Sequence, residues 1–256
     1  GGVDAGADGD EWKFSPFAGN FECAKPKLIC DLLANGRSGL VLFSSGMTGI
    51  PKAMLHDYGR FVTAYENRRT RSDSIFLFLL FDHIEGLDTM FGGFASGMTL
   101  VAPPNRSPET VAGLIDKFGV SVLPSTPTFL TLMLMDEIPR RFDLSSLKII
   151  AYGAEPMPDS LLERVGTTLP HVRLVQRYGT TETGVARTLL REDNRIHIDD
   201  PGLQTKVVDG ELWLKSGTQV LGYLNEDNAR FTDDGWFRTG DAVEVEGDDS
   251  LRFLGR

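Results

Sequence analysis

The sequence contains few cysteines, no long apolar run and fewer basic than acidic residues. Its two cysteines, Cys23 and Cys30, are too few for a disulfide framework or a four-thiolate zinc site, which favours a reducing, cytoplasmic setting. The longest apolar run, Ile75–Phe81, is far shorter than the roughly 20 residues that a membrane-spanning helix needs, so no membrane span is expected. Residues 1–10 lack a basic stretch followed by an apolar one, which indicates a solvated linker rather than a signal peptide.

Basic residues are also in deficit, because 26 Lys and Arg against 36 Asp and Glu give a formal net charge of −10. An acidic surface repels a phosphate backbone, so nucleic acid is not an expected partner. What is present is an apolar content of 41%, close to the globular average, which supports a buried core. At roughly 150 residues per domain, the 256 residues correspond to one large domain or to a large domain with a small companion.

Short runs of Val, Ile, Leu and Phe alternate with segments of helical period from residue 39 to about 180. This alternation predicts βα units and a largely parallel sheet with helices on its faces. The strand candidates are Leu40–Phe43, Ile75–Phe81, Met98–Ala102, Val120–Leu123, Leu147–Tyr152 and Val172–Val175. The clearest helix candidate has Ser107 as its N-cap, Pro108 at its first position and Gly119 at its end.

After about residue 186 the pattern changes to short strands with tight turns. Thr205–Val208 and Glu211–Lys215 flank Asp209-Gly210, which is typical of a two-residue hairpin turn. We therefore expect an α/β fold followed by a smaller, β-rich, distorted barrel-like subdomain. The expected divisions are a linker with a short helical lead-in at 1–38, an α/β subdomain at 39–195 and the β-rich subdomain at 196–256.

The first segment that carries chemistry is Ser44–Lys52 (SSGMTGIPK), which follows a strand candidate and precedes a segment of helical pattern. Its glycines let backbone N–H groups turn inward, its hydroxyls add donors and Lys52 supplies a cation, which together make a concavity for phosphates. A Walker A loop would need Gly at Pro51 and Ser or Thr at Ala53, so a P-loop kinase is excluded. Taken alone, the segment is equally compatible with a flexible surface turn.

The segment Leu40–His56 resembles the phosphate-binding loop of the adenylate-forming superfamily, which includes acyl-CoA synthetases, adenylation domains and luciferases. Further segments resemble motifs of that superfamily, and they occur in the superfamily's order. These are Phe81–Leu87 (FDHIEGL), Gly153–Pro156 (GAEP), Tyr178–Glu182 (YGTTE), Gly210–Trp213 (GELW) with Gly222-Tyr223, and Trp236–Asp241 (WFRTGD). The resemblance covers residues 39–256 and is closest in character to acyl-CoA synthetases.

The resemblance implies an ATP-dependent ligase. A small-molecule carboxylic acid and ATP would give an acyl-adenylate and pyrophosphate, and a thiol, coenzyme A, would then displace AMP. The implied cofactors are ATP and Mg²⁺, with coenzyme A as co-substrate, and the α/β subdomain would bind ATP and the acyl group. Because the first step brings an anion onto a polyanion, catalysis should consist mainly of positioning and charge neutralisation.

The resemblance also implies four groups of site residues. The catalytic group is Lys52, Thr181 and Glu182, and Glu182 is the implied Mg²⁺ ligand. The phosphate-binding group is Ser44, Ser45, Gly46, Thr48, Gly49 and Lys52. The nucleotide-binding group is Gly153, Ala154, Glu155, Pro156, Tyr178, Gly179, Thr180, Thr181, Asp241 and Arg256. The acyl-pocket group is His83, Gly86, Thr126, Tyr152 and Gly179.

Three positions depart from the superfamily pattern, of which Ala53 in place of the usual Gly is a mild change. Met47 stands where the superfamily usually has Ser or Thr, and a hydrogen bond to a charged group contributes about 1.5–3 kcal/mol. We therefore predict that Met47→Thr raises the adenylation rate, whereas an unchanged or lower rate would mean that the phosphate cradle is complete without it. Glu85 puts a carboxylate beside the implied acyl pocket, where it disfavours a long apolar chain unless it points to solvent.

Several alternatives stay open. Full superfamily members have a substantial portion before the phosphate loop and a mobile C-terminal domain with a second lysine, so the resemblance implies that this chain is a fragment. The acceptor is either coenzyme A or a carrier protein. A non-catalytic module that binds a nucleotide or an acyl-adenylate, and a purely structural scaffold, are the remaining alternatives.

Overall fold

The computed structural model describes residues 2–5, 12–15, 26–44, 51–153, 155, 157–190, 195–247 and 249–255. Two short strands, β1 (Gly2–Ala5) and β2 (Trp12–Ser15), pair antiparallel, and helix α1 (Lys27–Ala34) follows them. Within the described ranges, no helix is long and apolar enough to cross a membrane.

Strands β3 (Gly39–Ser44) and β4 (Lys52–Asp57) form an antiparallel hairpin around the expected phosphate loop, with Ser44 opposite Lys52. The expectation that a helical segment follows the loop directly is wrong, because β4 comes first. This strand is buried along most of its length and hydrogen-bonded to β3, so tertiary pairing overrides its local preference. Helix α2 (Tyr58–Thr63) begins only where β4 ends.

A parallel sheet of short apolar strands separated by helices comes next. Its five strands are β5 (Ser74–Phe76), β6 (Thr99–Val101), β7 (Val122–Ser125), β8 (Ile149–Tyr152) and β9 (Arg173–Gln176). They lie in the order β6-β5-β7-β8-β9, and every neighbouring pair runs parallel. The helices are α3 (Ile84–Ala95), α4 (Pro108–Phe118), α5 (Pro127–Met135), α6 (Ile138–Arg141) and α7 (Asp159–Thr168). The expected α/β architecture is confirmed.

The first strand of this sheet is shorter than the apolar run Ile75–Phe81 predicts. Its neighbour β6 ends at Val101, and Pro103 follows closely with no backbone N–H to extend the pairing. The Leu77 N–H still donates to the Val101 carbonyl at 2.8 Å, and then the chain leaves the sheet toward α3. The other strand candidates are matched with shifts of up to two residues at their ends.

Helix α4 begins and ends where the sequence predicts. The Ser107 hydroxyl accepts a hydrogen bond from the Thr110 N–H at 3.2 Å, and Pro108 occupies the first turn. Gly119 ends the helix with φ of 61°, a left-handed conformation that favours glycine. The apolar face of the helix, with Ile115 fully buried, packs into the core.

The C-terminal part is antiparallel β-structure, as expected. Its strands are β10 (Tyr178–Thr180), β11 (Gly184–Ala186), β12 (Thr188–Leu190), β13 (Ile196–Ile198), β14 (Leu203–Val208), β15 (Glu211–Ser216), β16 (Gly222–Tyr223), β17 (Phe237–Glu246) and β18 (Ser250–Gly255). Six of them form a curled half-barrel sheet in the order β12-β13-β18-β17-β15-β14. Asp209 and Gly210, at φ of 50° and 79°, make the expected turn between β14 and β15.

Strand β16 does not belong to that sheet. It pairs antiparallel with β4, with Tyr223 opposite Met54, and completes a three-stranded sheet β16-β4-β3. A segment far along the chain, beyond the expected division at 195/196, is thereby held beside Lys52 at the start of β4.

The described residues form four buried apolar clusters, of which one supports the parallel sheet and another supports the curled sheet. The larger lies between the parallel sheet and its helices and includes Phe76, Ile115, Leu123, Phe129, Ile150 and Val165. The second fills the inside of the curled sheet and includes Ile196, Leu212, Leu214, Val243 and Leu251. Two of the predicted site residues, Tyr178 of β10 and Asp241 of β17, contact each other across two different sheets.

Candidate functional site

Lys52 is the last residue of the expected phosphate loop and the first residue of β4. Residues Ser45, Gly46, Met47, Thr48 and Gly49 lie outside the described residues. The Lys52 ammonium forms an ion pair with Glu226 and lies 5.1 Å from the centre of the Tyr223 ring. An anion and an aromatic face therefore hold this cation beside the loop.

Glu182, the implied magnesium ligand, contacts the hydroxyl of the same tyrosine. The Tyr223 hydroxyl donates to Oε1 of Glu182 at 2.7 Å, and the Val220 N–H donates to the Glu182 carbonyl at 2.8 Å. Tyr223 is buried, and this burial together with the Glu182 charge raises the pKa of its hydroxyl, so the hydroxyl remains a donor. A single tyrosine thus joins Lys52 and Glu182.

The carboxylate oxygens of Glu182 suit a hard cation that is bound at the same time by a ligand. In the part of the chain that the structure describes, no three His, Cys, Asp or Glu side chains are grouped as a metal site. Magnesium is often held by one or two carboxylates together with substrate phosphates and waters, and does not need an all-protein cage. One carboxylate beside one lysine is compatible with that mode.

In the turn between β10 and β11, Thr180 and Gly179 hold the turn, whereas the Thr181 hydroxyl is available to a ligand. The Thr180 hydroxyl accepts a hydrogen bond from the Thr183 N–H at 3.1 Å and lies 2.9 Å from the Thr183 hydroxyl, so it holds the turn. A Cβ on Gly179 would lie 2.6 Å from the Gly184 carbonyl oxygen, so glycine is required there by packing. Thr181 is half-buried, and its hydroxyl makes no hydrogen bond to the described residues, which leaves it available to a ligand.

The residues expected at adenine and ribose contact each other. The Tyr178 hydroxyl donates to Oδ2 of Asp241 at 2.7 Å, and the Tyr178 ring packs against Phe253 with centroids 4.7 Å apart. The hydrogen bond links β10 to β17 across the junction of the two sheets. Arg256 lies outside the described residues.

The implied adenine turn is described only at Gly153 and Glu155, and Ala154 and Pro156 lie outside the described residues. The Glu155 carboxylate accepts hydrogen bonds from the Thr128 N–H at 3.1 Å and from the Thr128 hydroxyl at 2.7 Å. A Cβ on Gly153 would lie 2.9 Å from the Arg177 carbonyl oxygen, so close backbone packing requires glycine. Both residues thus have a clear structural role in shaping the turn.

Tyr152 is the acyl-pocket candidate that lines a cavity, of about 730 Å³, between α3 and the parallel sheet. Its hydroxyl is buried, has no hydrogen-bond partner among the described residues, and has its pKa raised to about 12 by that burial. His83, the residue before α3, does not line this cavity; its side chain is 62% exposed and 3.8 Å from Asp82. Glu85 lines the cavity, so the alternative that it points to solvent is wrong.

The other acyl-pocket candidates have structural roles. A Cβ on Gly86 would overlap the Leu80 carbonyl oxygen, so only glycine allows α3 to begin this close to the preceding chain. The Thr126 hydroxyl caps α5 by accepting a hydrogen bond from the Phe129 N–H at 3.2 Å.

Sequence reasoning missed three residues near the site: Tyr223, Asn225 and Glu226. Asn225 holds the chain on both sides of Lys52, because its amide accepts a hydrogen bond from the Ala53 N–H and donates one to the Pro51 carbonyl, each at 2.8 Å. The Gly222-Tyr223 motif was the available signal, but nothing in the sequence places it beside the phosphate loop.

The described structure thus combines a parallel α/β sheet, an antiparallel hairpin in which Ser44 pairs with Lys52, and a tyrosine that contacts both Lys52 and Glu182. The chain belongs to the family of AMP-binding enzymes, which matches residues 33–224. This family uses ATP and binds carboxylic acid substrates.

Similar proteins include CoA ligases. The 4-coumarate-CoA ligase 4 of Arabidopsis thaliana is 31% identical, with 84% of this chain and 43% of the relative covered. The 4-coumarate-CoA ligase-like 9 of the same plant is 28% identical, with coverage of 84% and 44%. The luciferase-like enzyme of the nonluminescent mealworm Zophobas morio has a similar structure, with a TM-score of 0.74, 26% identity and coverage of 84% and 57%. The chain spans less than half the length of these curated relatives.

Proposed function

We propose that the protein activates a carboxylic acid as an acyl-adenylate and passes the acyl group to a thiol, with coenzyme A as the acceptor. A carboxylate oxygen attacks the α-phosphorus of ATP, and the bond to the pyrophosphate oxygen breaks. The thiol sulfur then attacks the acyl carbon, and AMP leaves. The observation that carries this proposal is that Tyr223 contacts both Lys52, through its ring, and Glu182, through its hydroxyl.

In this proposal, charge neutralisation is the main contribution of the site. Lys52 binds the departing phosphates after exchanging Glu226 for them, and the Thr181 hydroxyl donates to the α-phosphate. Glu182 holds Mg²⁺, which supplies positive charge to the phosphate oxygens when it is bound. Such preorganised charges matter most in a site from which water is largely excluded.

We assign the nucleoside end of ATP to the Tyr178–Asp241 pair and the adenine turn at Gly153–Pro156. The Asp241 carboxylate accepts hydrogen bonds from ribose hydroxyls in addition to the one from Tyr178, and the Tyr178 ring contacts adenine. We assign ATP and acyl binding to residues 39–195 and the nucleoside contact at Asp241 to 196–256. The low cysteine content supports a cytoplasmic setting for this reaction.

An ATP–pyrophosphate exchange assay on the protein, with a panel of fatty and aryl acids, tests this function. We expect exchange that depends on both the acid and Mg²⁺, and a reduction of at least about tenfold in Lys52→Ala and in Glu182→Gln, since each loses a charged contact. Lys117→Ala and Glu163→Gln, at exposed positions, are the matched controls. No exchange with any acid would contradict the proposal.

The ion pair between Lys52 and Glu226 favours one second candidate, a non-catalytic module that binds nucleotide or acyl-adenylate. Tight ATP binding together with silence across the acid panel would support that module. Unchanged nucleotide affinity in Lys52→Ala and Glu182→Gln would instead favour a structural scaffold. To distinguish a carrier protein from coenzyme A as the acceptor, AMP release is measured with each of them in turn.

A further inference from the structure

The cavity of about 730 Å³ lies between a wall of mainly polar and small residues and a wall of mainly apolar residues. The α3 wall contributes residues at helical spacing that are acidic, hydroxylated or small: Glu85, Asp88, Thr89, Gly92, Gly93 and Ser96. The sheet wall contributes Ile75, Val122, Ile149, Ala151 and Val175, together with the polar side chains of Ser125, Tyr152 and Arg173. An apolar ligand body fits the sheet wall, and a polar group on the ligand fits the side that faces α3.

The Glu85 carboxylate lies close to the implied adenine turn. Its Oε1 lies 3.1 Å from the position that a Cβ on Gly153 would occupy. No hydrogen bond to the Glu85 carboxylate is formed by any residue that the structure describes. Burial raises the pKa of this carboxyl, which reflects the free-energy penalty of a desolvated charge without a donor. A donor supplied by a ligand would remove that penalty.

The charges around Glu85 leave one negative charge unmatched. Asp88, one turn further along α3, forms an ion pair with Arg177 at 2.8 Å, so that guanidinium already has a carboxylate partner. His83 is the other ionisable group close enough to influence Glu85. Of the other arginines that line the cavity, Arg71 pairs with Asp73 at 2.8 Å, Arg187 pairs with Asp199 at 2.9 Å, and Arg68 and Arg173 are exposed.

We infer that the acid activated at this site carries a protonated amine on its tail, and that Glu85 binds this amine. The inference rests on the proposed function and adds a substrate class to it. An ammonium group supplies both the missing donor and the missing positive charge, whereas a hydroxyl supplies only the donor and an alkyl group supplies neither. Glu85 is then a residue that determines specificity within the acyl pocket.

Three sulfamoyladenosine esters, which are stable mimics of an acyl-adenylate, test the inference by calorimetric binding to the protein. Their acyl groups are 4-(aminomethyl)benzoyl, 4-(hydroxymethyl)benzoyl and 4-ethylbenzoyl, which are close in size and differ in the terminal group. We expect the aminomethyl ester to bind at least tenfold more tightly than the ethyl ester. We expect the ratio of the aminomethyl affinity to the ethyl affinity to approach one in Glu85→Gln and to fall below one in Glu85→Leu. Glu163→Gln should retain the full ratio.

The unsubstituted protein decides the question even if a Glu85 variant does not fold. Tighter binding of the ethyl ester, or equal binding of the hydroxymethyl and aminomethyl esters, overturns the inference and leaves the proposed function intact. An aminomethyl preference that persists in Glu85→Gln also overturns it. If none of the three compounds binds, the inference fails, and the exchange assay with the full acid panel decides whether the proposed function fails with it.

Discussion

Tyr223 is the residue at which the two halves of the candidate site meet. Its ring faces the Lys52 ammonium, and its hydroxyl holds the Glu182 carboxylate at 2.7 Å. Because the tyrosine is buried on a strand paired with β4, it has little freedom to move away from either partner. It is therefore a positioning residue for both charged groups.

We predict that Tyr223→Phe weakens the dependence of ATP binding on Mg²⁺. The substitution keeps the ring beside Lys52 and removes only the hydroxyl that orients Glu182. Since a hydrogen bond to a charged group contributes about 1.5–3 kcal/mol, we expect the apparent affinity for Mg²⁺ to fall by about tenfold. Titration of Mg²⁺ at fixed ATP measures this, with Tyr58→Phe, a partly exposed tyrosine of α2, as the control. Equal affinities in Tyr223→Phe and the control would contradict the role of the hydroxyl.

His56 makes the stability of the folded protein depend on pH. Its side chain is buried, neither ring nitrogen has a hydrogen-bond partner among the described residues, and burial lowers its pKa from 6.5 to about 4. Between these two pH values the unfolded chain binds a proton that the folded protein rejects. The stabilising contribution of the neutral ring is therefore present above pH 6.5 and is lost as the pH falls toward 4.

We predict that His56→Leu reduces the loss of stability between pH 7 and pH 5. The shift in pKa corresponds to about 2 kcal/mol over this interval, which the variant no longer loses because leucine does not titrate. Urea denaturation at both pH values gives the difference in the free energy of unfolding. His171→Leu, at an exposed histidine, should keep the pH dependence of the unsubstituted protein. The same dependence in His56→Leu would show that the buried ring is not the cause.

At the scale of elements, the hairpin β3–β4 is fixed by a segment distant in sequence. Strand β16 pairs with β4, and the Asn225 amide that follows it holds the Pro51 carbonyl and the Ala53 N–H. These contacts set the direction in which the chain leaves the phosphate loop. Lys52, between the two held peptide groups, is thereby oriented toward Tyr223.

We predict that Asn225→Ala lowers ATP affinity and thermal stability together. Two hydrogen bonds are lost, and at about 1 kcal/mol each the free energy of unfolding should fall by about 2 kcal/mol. Isothermal calorimetry and thermal denaturation measure the two effects. As the control, Asn35→Ala removes one exposed side-chain hydrogen bond outside the site and should leave ATP affinity unchanged. Unchanged ATP affinity in Asn225→Ala would mean that the loop exit needs no such support.

Elements set by local chemistry could be predicted from the sequence, and elements set by distant partners could not. The Ser107 cap, the Gly119 end and the Asp209-Gly210 turn follow from rules that act within a few residues. The strand character of β4 depends on pairing with both β3 and β16, which no local pattern reveals. The early end of β5 likewise depends on the prolines that follow the neighbouring strand β6.

The same limit applies to the candidate site. Motif resemblance indicated Lys52 and Glu182 but not the tyrosine between them, because the contacts of Tyr223 cross long stretches of chain. The surroundings of Glu85 were equally hidden, since they depend on how α3 lies against the parallel sheet. Sequence thus predicts the residue types of such a site better than it predicts their partners.

At the scale of the whole molecule, several sheets contribute to one site. The sheet β16-β4-β3 supplies Lys52 and Tyr223, the β10–β11 hairpin borders Glu182, and the curled sheet supplies Asp241. In the proposed function, Lys52 and Glu182 bind the phosphate end of ATP, and the Tyr178–Asp241 pair binds its nucleoside end. The proposed function depends on all of them facing the same ligand.

The most direct test of that claim is the affinity for ATP measured by calorimetry with and without Mg²⁺, in the unsubstituted protein and in Glu182→Gln. If Glu182 and the phosphate loop share one metal-bound triphosphate, Mg²⁺ should tighten ATP binding by at least about tenfold in the unsubstituted protein and by little in the variant. The same enhancement in both proteins, or no ATP binding in either, would contradict it.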